Sequence, residues 1–276
     1  MELGLNGATT LKADLATDIA VAGKAGFDFV EIWAAKLMGY LERGGLPALK
    51  RDLRRAGVRP VTLNSVERVT FNDPSGHIRM LEDFQRFCRV AEAIGCETVI
   101  VVPSPRPKGV TARDIERESV RVLRQLSGLA KPYGVRLAYE FLGFADCTVN
   151  SLGQCAAIVD KTDRPNVGLV LDTFHFFAGG SSVASIRQVN PKKIFVVHVN
   201  DVERAPRRKM HDALRLFPGK GIIPLAKILG ALKAIGYTDK FSVEIFRPQY
   251  WNRPALRVAK EARLAALAAL SQAGIR

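Results

Sequence analysis

Eight short apolar runs of β-forming residues, each separated from the next by an amphipathic helical stretch, leave this chain few folds to choose from. The runs are LGLN (3–6), FVEI (29–32), PVTLN (60–64), TVIVV (98–102), RLAYE (136–140), VGLVLD (167–172), IFVVH (194–198) and FSVEI (241–245). Their near-continuous apolar character suits strands covered on both faces, the condition of a parallel sheet. Between them, stretches such as GHIRMLEDFQRFCRVAEAIG (76–95) set apolar residues three and four apart, the period of a half-buried helix. Five helix-to-strand joints reuse one punctuation, AGFDF, AGVRP, IGCET, YGVRL and IGYTD. Glycine there can take the left-handed conformation that ends a helix before the next strand. With an alanine- and leucine-rich closing helix at about 252–272, the pattern predicts an α/β chain forming one (β/α)8 TIM barrel domain over 1–276. The alternative is a doubly wound open sheet. No GxGxxG follows the first run, and candidate ligands on four consecutive strands favour closure.

Those ligands are Glu140, Asp172, His198 and Glu244, each at the end of its run. In a parallel β/α barrel the C-terminal strand ends share one mouth, so residues far apart in sequence converge there. Two Glu, one Asp and one His make an oxygen-rich set suited to one divalent ion, Mn²⁺, Mg²⁺, Co²⁺ or Zn²⁺, rather than to a thiolate site. Any one of the four could instead be a salt-bridged structural residue; all four on successive strands weigh against that, because a buried charge needs a partner or a metal. Asn200 and Asp201, beside His198, are candidates to orient its imidazole. His175, three residues past Asp172, is placed to contact substrate, against the alternative of a hydrogen-bonded loop histidine. In RLFPGKG (215–221), Arg215 or Lys220 could meet substrate oxygens or be solvated. Trp33 and Phe217 could wall a ring-shaped ligand or merely pack loop to barrel. Glu31 shares the mouth without an assigned partner, and Glu67 and Asp146 are equally unassigned. His77 reads as a surface or capping residue and His211 as a weak candidate.

A divalent ion with open positions can polarise a carbonyl and stabilise an enediolate as the neighbouring carbon loses its proton. Glu140 and Glu244, through oxygens not bound to the ion, could give and take that proton. This is keto–enol chemistry on a polyol or keto-sugar and calls for no nucleotide cofactor. The formal net charge of +14 raises nucleic acid as a partner, but the basic residues are scattered along helical stretches, with RAPRRK (204–209) the densest run. Such charge mainly sets solubility and steering; neither nucleic acid nor membrane is expected as a partner, and a homo-oligomer stays open. No run approaches a span of about 18 apolar residues, and the opening MELGLNGATT has no basic segment followed by an apolar one. Four cysteines without CxxC spacing read as reduced thiols of a cytoplasmic protein.

The chain resembles the xylose isomerase-like barrel superfamily of sugar isomerases and epimerases, and within it the inosose isomerases of inositol catabolism. The resemblance runs nearly end to end, through NGATTL (6–11), FVEI (29–32), PYGVRLAYEF (132–141), CTVN (147–150), NVGLVLDTFHF (166–176), KKIFVVHVND (192–201), PGKG (218–221) and SVEIFRPQYW (242–251). DTFHF and SVEIFRP are the more specific segments. It implies metal ligation by Glu140, Asp172, His198 and Glu244, substrate contact by His175, and proton transfer by the two glutamates. The implied reaction interconverts 2-keto-myo-inositol and 1-keto-D-chiro-inositol. The pattern is broken at Gly7 and Trp33, where inosose isomerases have an acidic residue and an arginine. Lys220 stands for a neutral or acidic residue and Phe217 for a tryptophan. Ketohexose 3-epimerase, hydroxypyruvate isomerase or keto-acid dehydratase chemistry would use the same four ligands, and a non-catalytic carbohydrate-binding barrel is a reading of another class. Apurinic/apyrimidinic endonucleases share the superfamily but need further histidines. Here the third and fourth runs end in Leu63-Asn64 and Val102-Pro103, and RLFPG has none.

Overall fold

A computed structural model describes residues 1–276. Eight parallel strands close into a barrel: Glu2–Asn6, Phe29–Trp33, Arg59–Val66, Thr98–Val101, Arg136–Glu140, Val167–Asp172, Ile194–His198 and Lys240–Val243. Each pairs with its sequence neighbours, and the last pairs with the first, Glu2 opposite Lys240 through Leu5 opposite Val243. The open-sheet alternative is thereby excluded. The closing helix runs Ala255–Gln272, three residues later than expected at its start.

The glycines of the five joints do end their helices in the left-handed region: Gly26, Gly57, Gly95, Gly134 and Gly236 have φ from +64° to +89°. Side-chain caps start the helices that follow the mouth loops: Asp14, Asp73 and Ser151 each accept from a backbone N–H of the first turn. Thr111 and Asp114 form a reciprocal capping box. The helix Ala34–Ala56 is interrupted at Gly45, which at φ +68° breaks it just before Pro47.

The main apolar core lies between the strands and the helical ring, built from residues such as Leu5, Ile32, Phe84, Leu123, Leu171 and Ala266. Inside the barrel the filling is divided. Ile100, Val102, Ala138, Val170, Phe195 and Val196 form an apolar cluster on one side. Buried Asn6, Glu31, Thr62, Asn64 and Ser242, from the first, second, third and eighth strands, make the other side polar. One element has no counterpart in the sequence pattern: Asp201–Val202 pairs antiparallel with Arg215–Leu216 over the mouth. This ribbon is why Arg215 meets residues from the sixth and eighth strands. No helix is long and apolar enough to cross a membrane.

Candidate metal centre

Glu140, Asp172 and His198 are the last residues of the fifth, sixth and seventh strands, and Glu244 follows the eighth. The parallel register sets Asp172 opposite His198, so the two side chains rise at one level. Potential ligand atoms of all four residues lie within 4.8 Å of one another, and all four side chains are buried. His198 Nδ1 is central, 3.1 Å from Glu140 Oε1, 3.2 Å from Glu244 Oε2 and 3.7 Å from Asp172 Oδ2.

Three carboxylates packed this closely repel one another unless positive charge lies among them. The protein supplies some of it through Arg215, whose Nη1 donates to Asp172 Oδ2 at 2.7 Å and Glu244 Oε2 at 3.1 Å. Burial would raise the carboxyl of Asp172, but Arg215, His175 and His198 hold it down at about 2. Glu140 has no such partner; burial, with the Glu244 charge adding to it and His198 opposing, pushes its carboxyl up to about 7. Burial acts to lower His198, yet Glu244, Glu31 and Glu140 raise it well above the ordinary histidine value. One imidazole and three carboxylates drawing a cation into their midst fit a divalent ion in both donor type and charge.

The remaining donors fix these groups unequally. Glu244 Oε1 accepts from Asn6 Nδ2 at 3.1 Å and Asn64 Nδ2 at 2.8 Å. Asn200 Nδ2 donates to Asp172 Oδ2 at 2.8 Å, so Asn200 serves Asp172. Asp201 is occupied elsewhere, its Oδ1 accepting from Ile223 N at 2.8 Å. The partner of His198 Nε2 comes from a different strand: it is Glu31, whose carboxylate oxygens lie 3.1 and 3.2 Å away. Burial would raise Glu31, but the His198 charge and hydrogen bonds bring its carboxyl below the usual value.

Above the quartet opens a cavity of about 360 Å³. Glu140, Glu244, His175 and Arg215 reach it from below, Trp33 and Phe246 form one apolar wall, and Leu142, Phe144 and Val102 contribute to others. Trp33 meets Phe246 edge-on, with centroids 5.3 Å apart. His175 is buried, which lowers its imidazole below the usual histidine value, and Gly143 N donates to its Nδ1 at 3.1 Å. That ring's Nε2 lies 3.0 Å from Arg215 Nη2, so the imidazole and the guanidinium meet at the cavity floor.

Phe217 does not wall the cavity; it stacks on Tyr250 at 4.1 Å, and the lining aromatics are Trp33, Phe144 and Phe246. Lys220 is exposed and Gly7 stands aside from the lining. Glu67 and Asp146, without a role in the sequence, stand at the cavity rim with Arg68. His77 is a half-buried helix residue bonded to Gln125, and His211 lies outside the lining. Asn6, Thr62, Asn64 and Asp212 were missed. Asn6 and Asn64 carried the same signal as the ligands, a polar residue at the end of an apolar run.

Known proteins resemble this chain over nearly its whole length. Over 266 residues the chain is 39% identical to an inosose isomerase of Bacillus licheniformis, covering 95% of this chain and 96% of that one. The inosose isomerase of Bacillus subtilis is 37% identical, with 95% of each covered. A crystal structure of the IOLI protein with a binding zinc atom superposes with a TM-score of 0.96 at 37% identity, covering 99% of both chains. Residues 19–268 match the family described as Xylose isomerase-like TIM barrel, and the chain belongs to that family.

Proposed function

We propose that this protein is a divalent-metal-dependent isomerase that moves a carbonyl between adjacent carbons of a keto-inositol, converting 2-keto-myo-inositol to 1-keto-D-chiro-inositol. The observation that carries this is the ligand quartet on the floor of a cavity of about 360 Å³ with aromatic walls. That size lies at the small end of ligand sites, roughly 300–1,000 Å³, and suits one six-membered ring. The whole-length likeness to inosose isomerases supports the same substrate. Bound at Glu140, Asp172, His198 and Glu244, the ion supplies a Lewis acid for a carbonyl and its neighbouring hydroxyl.

The chain's own residues then handle protons and position. A proton leaves the hydroxyl-bearing carbon, another returns to the former carbonyl carbon, and the hydroxyl proton passes to the former carbonyl oxygen. Glu140 suits the first transfer: Oε1 faces His198, while Oε2 has no protein donor and opens on the cavity. Glu244 is the partner acid in this reading, although its Oε1 must loosen from Asn6 or Asn64 to take a proton. His175 and Arg215, both at the cavity floor, are placed to meet substrate oxygens and to stabilise negative charge developing on them. Trp33 offers an apolar face to the ring. We read residues 1–276 as one domain and the enzyme as cytoplasmic, which four unpaired, buried cysteines support.

The test follows exchange. Metal-replete protein with 2-keto-myo-inositol in D₂O should give a new inosose deuterated at the exchanging carbon by NMR, and EDTA should stop it. Glu140→Gln should cut exchange by roughly 10²–10⁴-fold with an unchanged circular dichroism spectrum. Exchange at the wild-type rate in that variant would remove Glu140 from the role; no exchange by the wild type would remove the substrate.

A further inference from the structure

Glu31 is fully buried inside the barrel. Its carboxylate straddles His198 Nε2 at 3.1 and 3.2 Å, on the side of the ring opposite Nδ1 and the three carboxylates. Around it stand Thr62 Oγ1, donating to Oε2 at 2.6 Å, and Asn6 Nδ2, donating to Oε1 at 3.2 Å. Ser242 sits opposite His198 in the strand register. Stability alone gives this arrangement no rationale. A buried charge is costly to desolvate, and apolar residues commonly replace buried ion pairs without loss; the other half of the same barrel interior is filled that way. An acceptor held at Nε2 does have a specific effect on an imidazole. It keeps the proton on Nε2, leaves the Nδ1 lone pair free, and locks the ring plane.

We propose that Glu31 is a positioning residue of the metal centre, which fixes the tautomer and orientation of His198 so that Nδ1 is presented as a ligand, with Thr62 and Asn6 fixing Glu31 in turn. This rests on His198 being a metal ligand. It extends the centre to the second and third strands, which contribute no ligand to the quartet.

The test uses the full chain and two metals, Zn²⁺ for affinity by chelator competition and Co²⁺ for its visible ligand-field spectrum. Glu31→Gln should weaken Zn²⁺ binding by roughly 10–100-fold and alter the Co²⁺ bands, while the thermal midpoint of the metal-free protein stays near wild type. Thr62→Val, which leaves Glu31 and His198 in place, should move both readouts in the same direction by less, and it keeps the test decisive should Glu31→Gln fold poorly. Affinity and Co²⁺ spectrum within twofold of wild type in Thr62→Val and in folded Glu31→Gln would overturn the proposal and leave Glu31 a structural residue. If the wild type itself bound neither metal, the reading of the quartet would fail instead.

Discussion

A guanidinium without access to water must find anions for its charge, and Arg215, fully buried, finds three. Nη1 donates to Asp172 and Glu244, and Nη2 lies 2.8 Å from Asp212 Oδ1. These bonds place a fixed positive charge among the candidate ligand carboxylates when no metal is bound. Removing one partner of a buried pair costs about 3–5 kcal/mol. Arg215→Met should therefore lower the urea-unfolding stability of metal-free protein by about that amount. Saturating Zn²⁺ should narrow the gap to wild type, because the ion supplies charge at the same carboxylates; equal losses with and without metal would show the two cations to be independent. In the sequence Arg215 is one cation in a Gly-Pro loop, which could meet substrate oxygens or be solvated, and nothing there points to the carboxylates it pairs with. The ribbon that turns it inward has two residues per strand, too short for any periodic signal. Phe217 stayed open for the converse reason: an aromatic in that loop can face either way, and packing on Tyr250 decides it.

Between elements, the first two helices are joined beneath the mouth by Lys36, which donates to Asp18 Oδ2 at 2.6 Å and to the carbonyls of Gly7 and Thr10. This ties the loop after the first strand, and so the Asn6 that holds Glu244, to the helical ring. Burial dominates both partners, raising Asp18 to about 6 and lowering Lys36. The sign follows from proton counting. Between the unfolded value near 3.8 and about 6 the folded protein holds a proton on Asp18 that the unfolded chain has lost. Rising pH across that window therefore removes stability, and above it the contribution is flat. Urea titrations from pH 4 to 7 should show this decline in wild type and its absence in Asp18→Asn; an unchanged profile in the variant would assign the slope elsewhere. The elements themselves were legible because two-sided burial writes parallel strands as apolar runs, and left-handed glycines mark where helices stop. The quartet was legible for a related reason, a charged residue closing an apolar run. Glu31 looked the same but sits mid-strand, where sequence does not say whether a carboxylate faces a metal, a histidine or the helices.

Across the whole molecule the charge is divided by location. The chain carries a net +14, yet the cavity is lined by five carboxylates, Glu67, Glu140, Asp146, Asp212 and Glu244, against the guanidiniums of Arg68 and Arg215. Adding a dication leaves that lining with excess negative charge. The basic exterior would attract an anion from a distance, but such attraction fades beyond about 8–10 Å at physiological salt, whereas a desolvated cavity screens its own charges far less. The lining should decide, and it favours a neutral polyol over a phosphorylated or carboxylated one. For the neutral inosose, kcat/KM should change by less than about twofold between 20 and 300 mM NaCl, since an uncharged substrate is not steered. A phosphorylated analogue should inhibit more weakly than its neutral parent at every salt concentration. If the phosphorylated compound bound tighter, and lost that advantage with salt, the exterior charge would be part of substrate capture and the neutral assignment would fall.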